Sequence, residues 1–197
     1  MLITKDVSEV ASILAVGSGA VIAYPTETFY GLGSCISDCT GIERIVRIKG
    51  RDASKGMIIL AADMAAAREI AEISGHQEKL LSRFWPGPLS AVLQARTHVH
   101  PLLSPAGKVA VRISPNLLAL ALTRTAGPIT STSANPSGMP PARTPREVST
   151  WNPDIDAILD GGETPGGMPS TLIDLTAWPP KLLREGVIPF SVLIESL

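Results

Sequence analysis

Two threonines and a glutamate follow an apolar run in AYPTETFYGLG, residues 23–33. The run AVIAY (20–24) has the length and composition of a buried strand, so Thr26, Glu27 and Thr28 fall where a strand gives way to a loop. That placement raises the question of what small polar ligand these side chains face. STSAN (131–135) repeats the arrangement: four small hydrogen-bonding side chains directly after an apolar strand can donate to phosphate or carboxylate oxygens. The following Pro136, Ser137 and Gly138 suit an ordinary turn equally well.

Thr28, Lys49, Arg51, Lys55, Arg112, Ser131, Ser133, Asn135, Ser170 and Arg184 all fall at expected strand ends or adjoining loops. Open α/β sheets bind ligands there. Five of these residues are cationic in a chain whose formal net charge is −1, so if they converge their ligand is strongly anionic. The competing expectation is that Lys49, Arg51 and Lys55 form an exposed helix C-terminus, where cations gain about 0.3–1 kcal/mol from the helix dipole. At such a helix end Lys49 and Arg51 would be replaceable without loss of stability. No GxxxxGK[ST] loop and no GxGxxG after a strand is present, so any nucleotide must be held by another cradle.

Other chemistries find less support. Cys35 and Cys39 are the only cysteines, and with His98 and His100 they could supply four zinc ligands, but the spacing resembles neither a finger nor a knuckle. Buried or idle thiols are expected, with no metal site built from protein ligands. The three histidines make no spacing that suggests a nucleophile and its base. Aromatics are 4% of the residues and no basic segment interleaves them, which argues against an RNA-binding module as the main role. The chain lacks an apolar segment of membrane-spanning length and a signal-like opening, so a soluble, cytoplasmic protein is expected.

Positioning these residues requires a scaffold, and 197 residues with 45% hydrophobic content suffice for one domain, expected to span 1–197 without a second C-terminal domain. Helical and strand patterns alternate. A first helix is expected over Lys5–Val16, with Val7, Val10, Ile13 and Leu14 inward. A second should start at Thr40, whose spacing to Glu43 is that of a capping box, and end near KGRD. GMIILA (56–61) reads as a strand, Asp63 as the cap of a helix reaching about Ile73, and HQEKLLSRFW (76–85) as a helix stopped by Pro86-Gly87-Pro88. LSAVLQA and KVAVRI are strands. Ser114 and Pro115 should open the helix that closes on Gly127, and PITSTS (128–133) should be a strand. Thr144 to Glu147 is another capping box. AILDGG, STLIDL and KLLREG are too closely spaced for helical crossovers, so part of the sheet must be antiparallel.

Seven pieces, AYPTETFYGLG, KGR, WPGPLSAVL, VAVRIS, STSANPSG, STLIDL and LREGVI, stand in the order of the YrdC/YciO-type family, which the chain resembles from about residue 8 to 188. The resemblance implies an α/β fold, a twisted mixed parallel and antiparallel sheet with helices around a large basic cavity. It also implies a threonylcarbamoyl-AMP synthase, a nucleotidyltransferase that converts L-threonine, bicarbonate or CO2, and ATP into threonylcarbamoyl adenylate and pyrophosphate. Mg2+ would accompany ATP, and the adenylate would pass to the tRNA threonylcarbamoyl transferase machinery, with weak tRNA binding as a further option. By similarity Thr28, Arg112, Ser131 and Ser170 form the threonine subsite. Lys49, Arg51, Ser133 and Asn135 carry the family's K-x-R and S-x-N signature and hold ATP with Lys55, Lys108 and Arg184, with Lys49 and Arg51 as the catalytic cations.

The chain departs from many relatives in having Asp52 where they have proline after KGR, and Leu60 where longer ones often have a histidine that contacts threonine. Glu27 could either order its loop or serve the site. A YciO-like relative with another nucleotide-linked activity is the nearest alternative, and the intact K-x-R and S-x-N pairs favour the synthase.

Overall fold

The computed structural model describes residues 1–16, 18–50, 56–152 and 154–197. Its elements are β1 (Leu2–Thr4), α1 (Val7–Val16), β2 (Ile22–Tyr24), β3 (Gly31–Gly33), α2 (Cys39–Lys49), β4 (Ile58–Leu60), α3 (Met64–Ile70), β5 (Ala71–Glu72) and α4 (Gly75–Phe84). There follow β6 (Leu89–Ala95), β7 (Lys108–Arg112), α5 (Leu117–Ala126), β8 (Ile129–Ser133), α6 (Pro145–Trp151), β9 (Ala157–Leu159), β10 (Thr171–Asp174), β11 (Lys181–Arg184) and α7 (Phe190–Glu195). The strands form one mixed sheet in the order β1-β9-β2-β3-β8-β4-β7-β6-β10-β11, with β5 on β6. β4 and β7 run parallel, as do β6 and β10, while β2/β3, β4/β8, β6/β7 and β10/β11 are antiparallel. The expected antiparallel component is therefore present in the last third.

Alternation along the strands divides the core in two. Val21 and Ala23 face one apolar cluster, whereas Ala20, Ile22 and Tyr24 face the other. Val10, Ala11 and Leu14 of α1 pack with Ala119 and Leu122 of α5 in the second cluster. Ile42 and Ile45 of α2, Ile70 of α3 and Leu80 and Leu81 of α4 belong to the first. Helices cover both faces, so strands such as β2 are wholly buried and their sequences are apolar throughout.

Several helix starts differ from expectation. α2 is capped by Asp38, not Thr40: Asp38 Oδ1 accepts from Gly41 N at 3.0 Å while Oδ2 accepts from Gly19 N at 2.7 Å. One carboxylate thus satisfies two main-chain donors from different segments, a tertiary advantage that local spacing does not reveal. α5 is capped by Asn116, whose side chain accepts from Leu118 N and Ala119 N. Ser114 and Pro115 lie outside it, with the Ser114 hydroxyl donating to Glu27 and accepting from Asn116 N. α1 begins at Val7, and α3 ends at Ile70, where the chain turns into β5. The box at Thr144 and Glu147 is present in both directions.

Candidate functional site

The polar tail of β2 is folded by its own threonine. Thr26 Oγ1 donates to Phe29 O at 2.7 Å and accepts from Phe29 N at 3.3 Å, closing a tight turn that sends the chain back as β3. Tyr24 pairs with Gly31 across this hairpin. β3 consists of Gly, Leu and Gly because the Tyr24 ring occupies the space: a Cβ on Gly33 would lie 2.7 Å from both Tyr24 Cε1 and Thr130 O. The Tyr24 hydroxyl donates to Thr130 O at 2.9 Å, and burial pushes its pKa well up, partly offset by Ser131 and Arg112. Thr28, at the turn, is buried with its Oγ1 3.1 Å from Thr26 Oγ1, and its carbonyl accepts from Gly166 N at 2.8 Å.

Thr28 opens onto a cavity of about 750 Å3 that also meets Lys49, Lys108, Arg112, Ser131, Ser133, Asn135, Ser170 and Arg184. Every expected site residue within the described part of the chain is therefore brought to one cavity. Arg51 and Lys55 lie outside the described residues. The strand period explains the grouping: Lys108, Ala110 and Arg112 are alternate residues of β7 and present one face. At about 3.4 Å per residue, Lys108 and Arg112 stand roughly 14 Å apart along the strand. Four cations line it among the described residues, against the single carboxylate of Asp174.

Lys49 corrects the expectation of an exposed helix end. α2 does stop there, with Gly50 in the left-handed conformation at φ 55°, but the Lys49 side chain is buried. Its ammonium donates to Ser133 O and Asn135 O, both at 2.6 Å, and to Asn135 Oδ1 at 2.9 Å. Ser137 Oγ in turn donates to Lys49 O at 2.5 Å. The lysine and the STSAN segment are one assembly, and the turn residues of that segment are shaped around a buried charge.

At the far side Arg184 Nη2 donates to Ser170 O at 2.8 Å and to Ser170 Oγ at 3.1 Å, while Ser170 Oγ lies 2.9 Å from Ser90 Oγ. Lys108 Nζ pairs with Asp174 Oδ2 at 3.2 Å. Burial alone would raise the Asp174 pKa, but hydrogen bonds from Thr176 and Lys108 hold it below the ordinary carboxylate value. Arg112 is buried beside Glu27. Leu60 is wholly buried in the cluster formed with α1 and α5. Ser90 escaped the sequence reading, and Ser114 and Ser137 entered it only as a helix cap and a turn residue, since single serines at strand ends carry no spacing signal for a site.

Among the described residues, the wall of this cavity includes none of the three histidines. Among the described residues no three His, Cys, Asp or Glu side chains stand close enough to hold a metal ion. Cys35 faces the carbonyls of Leu14 and Ala126, and burial raises its pKa. Also among the described residues, no helix is long and apolar enough to cross a membrane. The arrangement is suited to holding anions with charge and hydroxyl donors.

A profile of the Sua5/YciO/YrdC family, described as telomere recombination, matches residues 15–186. A threonylcarbamoyl-AMP synthase of Pyrococcus abyssi is 43% identical over 176 residues, covering 87% of this chain and 52% of the relative. The chain thus spans about half the length of that protein. A threonylcarbamoyl-AMP synthase of Photobacterium profundum is 36% identical over 182 residues, covering 88% of this chain and 96% of the relative. The crystal structure of P. abyssi Sua5 complexed with L-threonine superimposes with a TM-score of 0.92 at 36% identity, covering 100% of this chain and 61% of that one.

Proposed function

The chain belongs to the Sua5/YciO/YrdC family, and we propose that it is a threonylcarbamoyl-AMP synthase: L-threonine, bicarbonate or CO2, and ATP give threonylcarbamoyl adenylate and pyrophosphate. The observation that carries this proposal is the convergence of Thr28, Lys49, Lys108, Arg112, Ser131, Ser133, Asn135, Ser170 and Arg184 on one cavity. Its volume of about 750 Å3 is within the range of small-molecule sites.

Thr28, Arg112, Ser131 and Ser170 would receive threonine, with the Arg112 guanidinium on its carboxylate. Ser133, Asn135, Lys108 and Arg184, together with Arg51 and Lys55, would receive ATP. The hydrogen bonds between Arg184 and Ser170 join the two groups, and contact between the two subsites is what the chemistry requires. The threonine nitrogen forms a carbamate with CO2, a carbamate oxygen attacks the α-phosphorus, and pyrophosphate leaves. Carboxylated threonine carries about two negative charges and ATP about four, so charge neutralisation and alignment are the main catalytic demands. No protein nucleophile is needed.

Lys49 would contribute charge and hold the Ser133–Asn135 segment in shape. Mg2+ would ride on the ATP phosphates and neutralise their charge. Asp174, the one carboxylate among the described residues of the wall, is already engaged by Lys108 and Thr176, which favours phosphate oxygens as the ligands. The adenylate is a reactive mixed anhydride suited to transfer onto a tRNA adenosine by a separate transferase. The test is pyrophosphate release by the purified protein, expected only when ATP, L-threonine and bicarbonate are all present. Equal release without threonine would reject the proposal.

A further inference from the structure

Glu27 lies between Thr26 and Thr28, which both line the cavity, yet its own side chain is not on the wall. It turns back into the protein. Ser114 Oγ donates to Glu27 Oε2 at 2.5 Å, and Ser114 Oγ itself accepts from the main-chain N–H of Asn116, the residue that caps α5. On its other side Glu27 Oε1 stands 3.5 Å from Arg112 Nη1. A continuous line therefore runs from the start of α5 through Ser114 and Glu27 to Arg112.

The Arg112 and Glu27 side chains are only 5% and 14% exposed, so each charge has lost most of its water. A buried ion pair is repaid for that loss only when its hydrogen-bonding capacity is filled. Here it is not: Glu27 Oε1 and Arg112 Nε are buried without a hydrogen-bond partner. A salt bridge serving stability alone would close this gap. Instead the carboxylate is fixed firmly at Ser114 and touches the arginine loosely, which balances its charge while leaving guanidinium donors for another acceptor.

We propose that Glu27 is a positioning residue: from behind the cavity wall it holds the Arg112 guanidinium in the orientation that receives the carboxylate of the amino-acid substrate. The proposal rests on the function given above. It also explains how an acidic residue can sit next to two anionic substrates, since Arg112 stands between its carboxylate and the cavity.

The test is calorimetric titration of L-threonine, in the presence of a non-hydrolysable ATP analogue, into the unaltered protein, Glu27→Gln, Glu27→Asp, Arg112→Gln and the Glu27→Gln/Arg112→Gln double variant. The analogue is titrated separately. Glu27→Gln is expected to weaken threonine binding by about tenfold, in the range of coupled neighbours, with affinity for the analogue unchanged. Glu27→Asp keeps the charge but cannot reach both partners, so it should also weaken threonine binding, and it carries the test if the glutamine variant does not fold. In the Arg112→Gln background the Glu27 change should have no further effect. Unchanged threonine affinity in the Glu27 variants, equal losses for threonine and the analogue, or additive effects in the double variant would each overturn the assignment. If the unaltered protein binds no threonine, the proposed function falls and this assignment with it. If it does bind and the Glu27 variants match it, only the assignment falls.

Discussion

Lys49 Nζ donates a 2.6 Å hydrogen bond to the main-chain carbonyl of Asn135, 86 residues further along the chain. Ser133 O is bound by the same ammonium, so one buried charge fixes the segment between two cavity-lining side chains. Replacing Lys49 with methionine would leave these carbonyls without that donor. Buried groups left unpaired cost about 1–3 kcal/mol, which in a chain of this size lowers Tm by roughly 2–12 °C. Lys49→Met is therefore expected to lose thermal stability and ATP affinity together, read by a melting curve and by titration of the ATP analogue. An unchanged melting curve would return Lys49 to the exposed helix end that its sequence position suggested.

Thr28 should behave differently. Thr26 retains its bond to Phe29 O when the Thr28 hydroxyl is removed, so the turn survives, while Thr26 Oγ1 and the ligand each lose one partner. Thr28→Val is expected to weaken L-threonine binding by roughly 5- to 150-fold, the equivalent of about 1–3 kcal/mol. Affinity for the ATP analogue and Tm should stay close to those of the unaltered protein. Equal threonine affinity in both proteins would remove Thr28 from the substrate subsite.

Tyr30 gives a prediction in pH. Its hydroxyl donates to Gly162 O at 2.8 Å and accepts from Gly161 N at 3.1 Å, and burial pushes its pKa from 10.0 up to about 12. The folded state therefore keeps the proton between pH 10 and about 12, where the unfolded state releases it, so the contribution is present below pH 10 and is lost as pH rises towards 12. Alkaline titration followed by tyrosinate absorbance should show no step near 10 in the folded protein. Tyr30→Phe should reduce the fall in stability across that window. A normal step near 10 in the folded protein would contradict the docking of Tyr30 on the Gly161–Gly162 segment.

Much of this arrangement was legible in the sequence, and the rest was hidden for particular reasons. The apolar runs, the Thr144 box and the polar tails of β2 and β8 are local signals, and each appears where it was expected. β3 was not recognised because glycine is poor in strands, and its glycines are explained only by the Tyr24 ring that lies across them. Asp38 displaced Thr40 as a cap because it also serves Gly19, and Asn116 takes the place of Ser114 at α5 by accepting from both Leu118 N and Ala119 N. The signature lysine was found by resemblance, but its burial against Ser133 and Asn135 follows from contacts between residues more than 80 positions apart. No spacing rule reports those.

The most direct test of the central claim is mass spectrometry of the products formed from ATP, L-threonine and isotopically labelled bicarbonate. The reaction proposed here predicts an adenylate that carries the labelled carbon between the threonine nitrogen and the phosphate, formed together with pyrophosphate and absent when either threonine or bicarbonate is omitted. An adenylate without the label, or pyrophosphate released with no labelled adenylate, would contradict it.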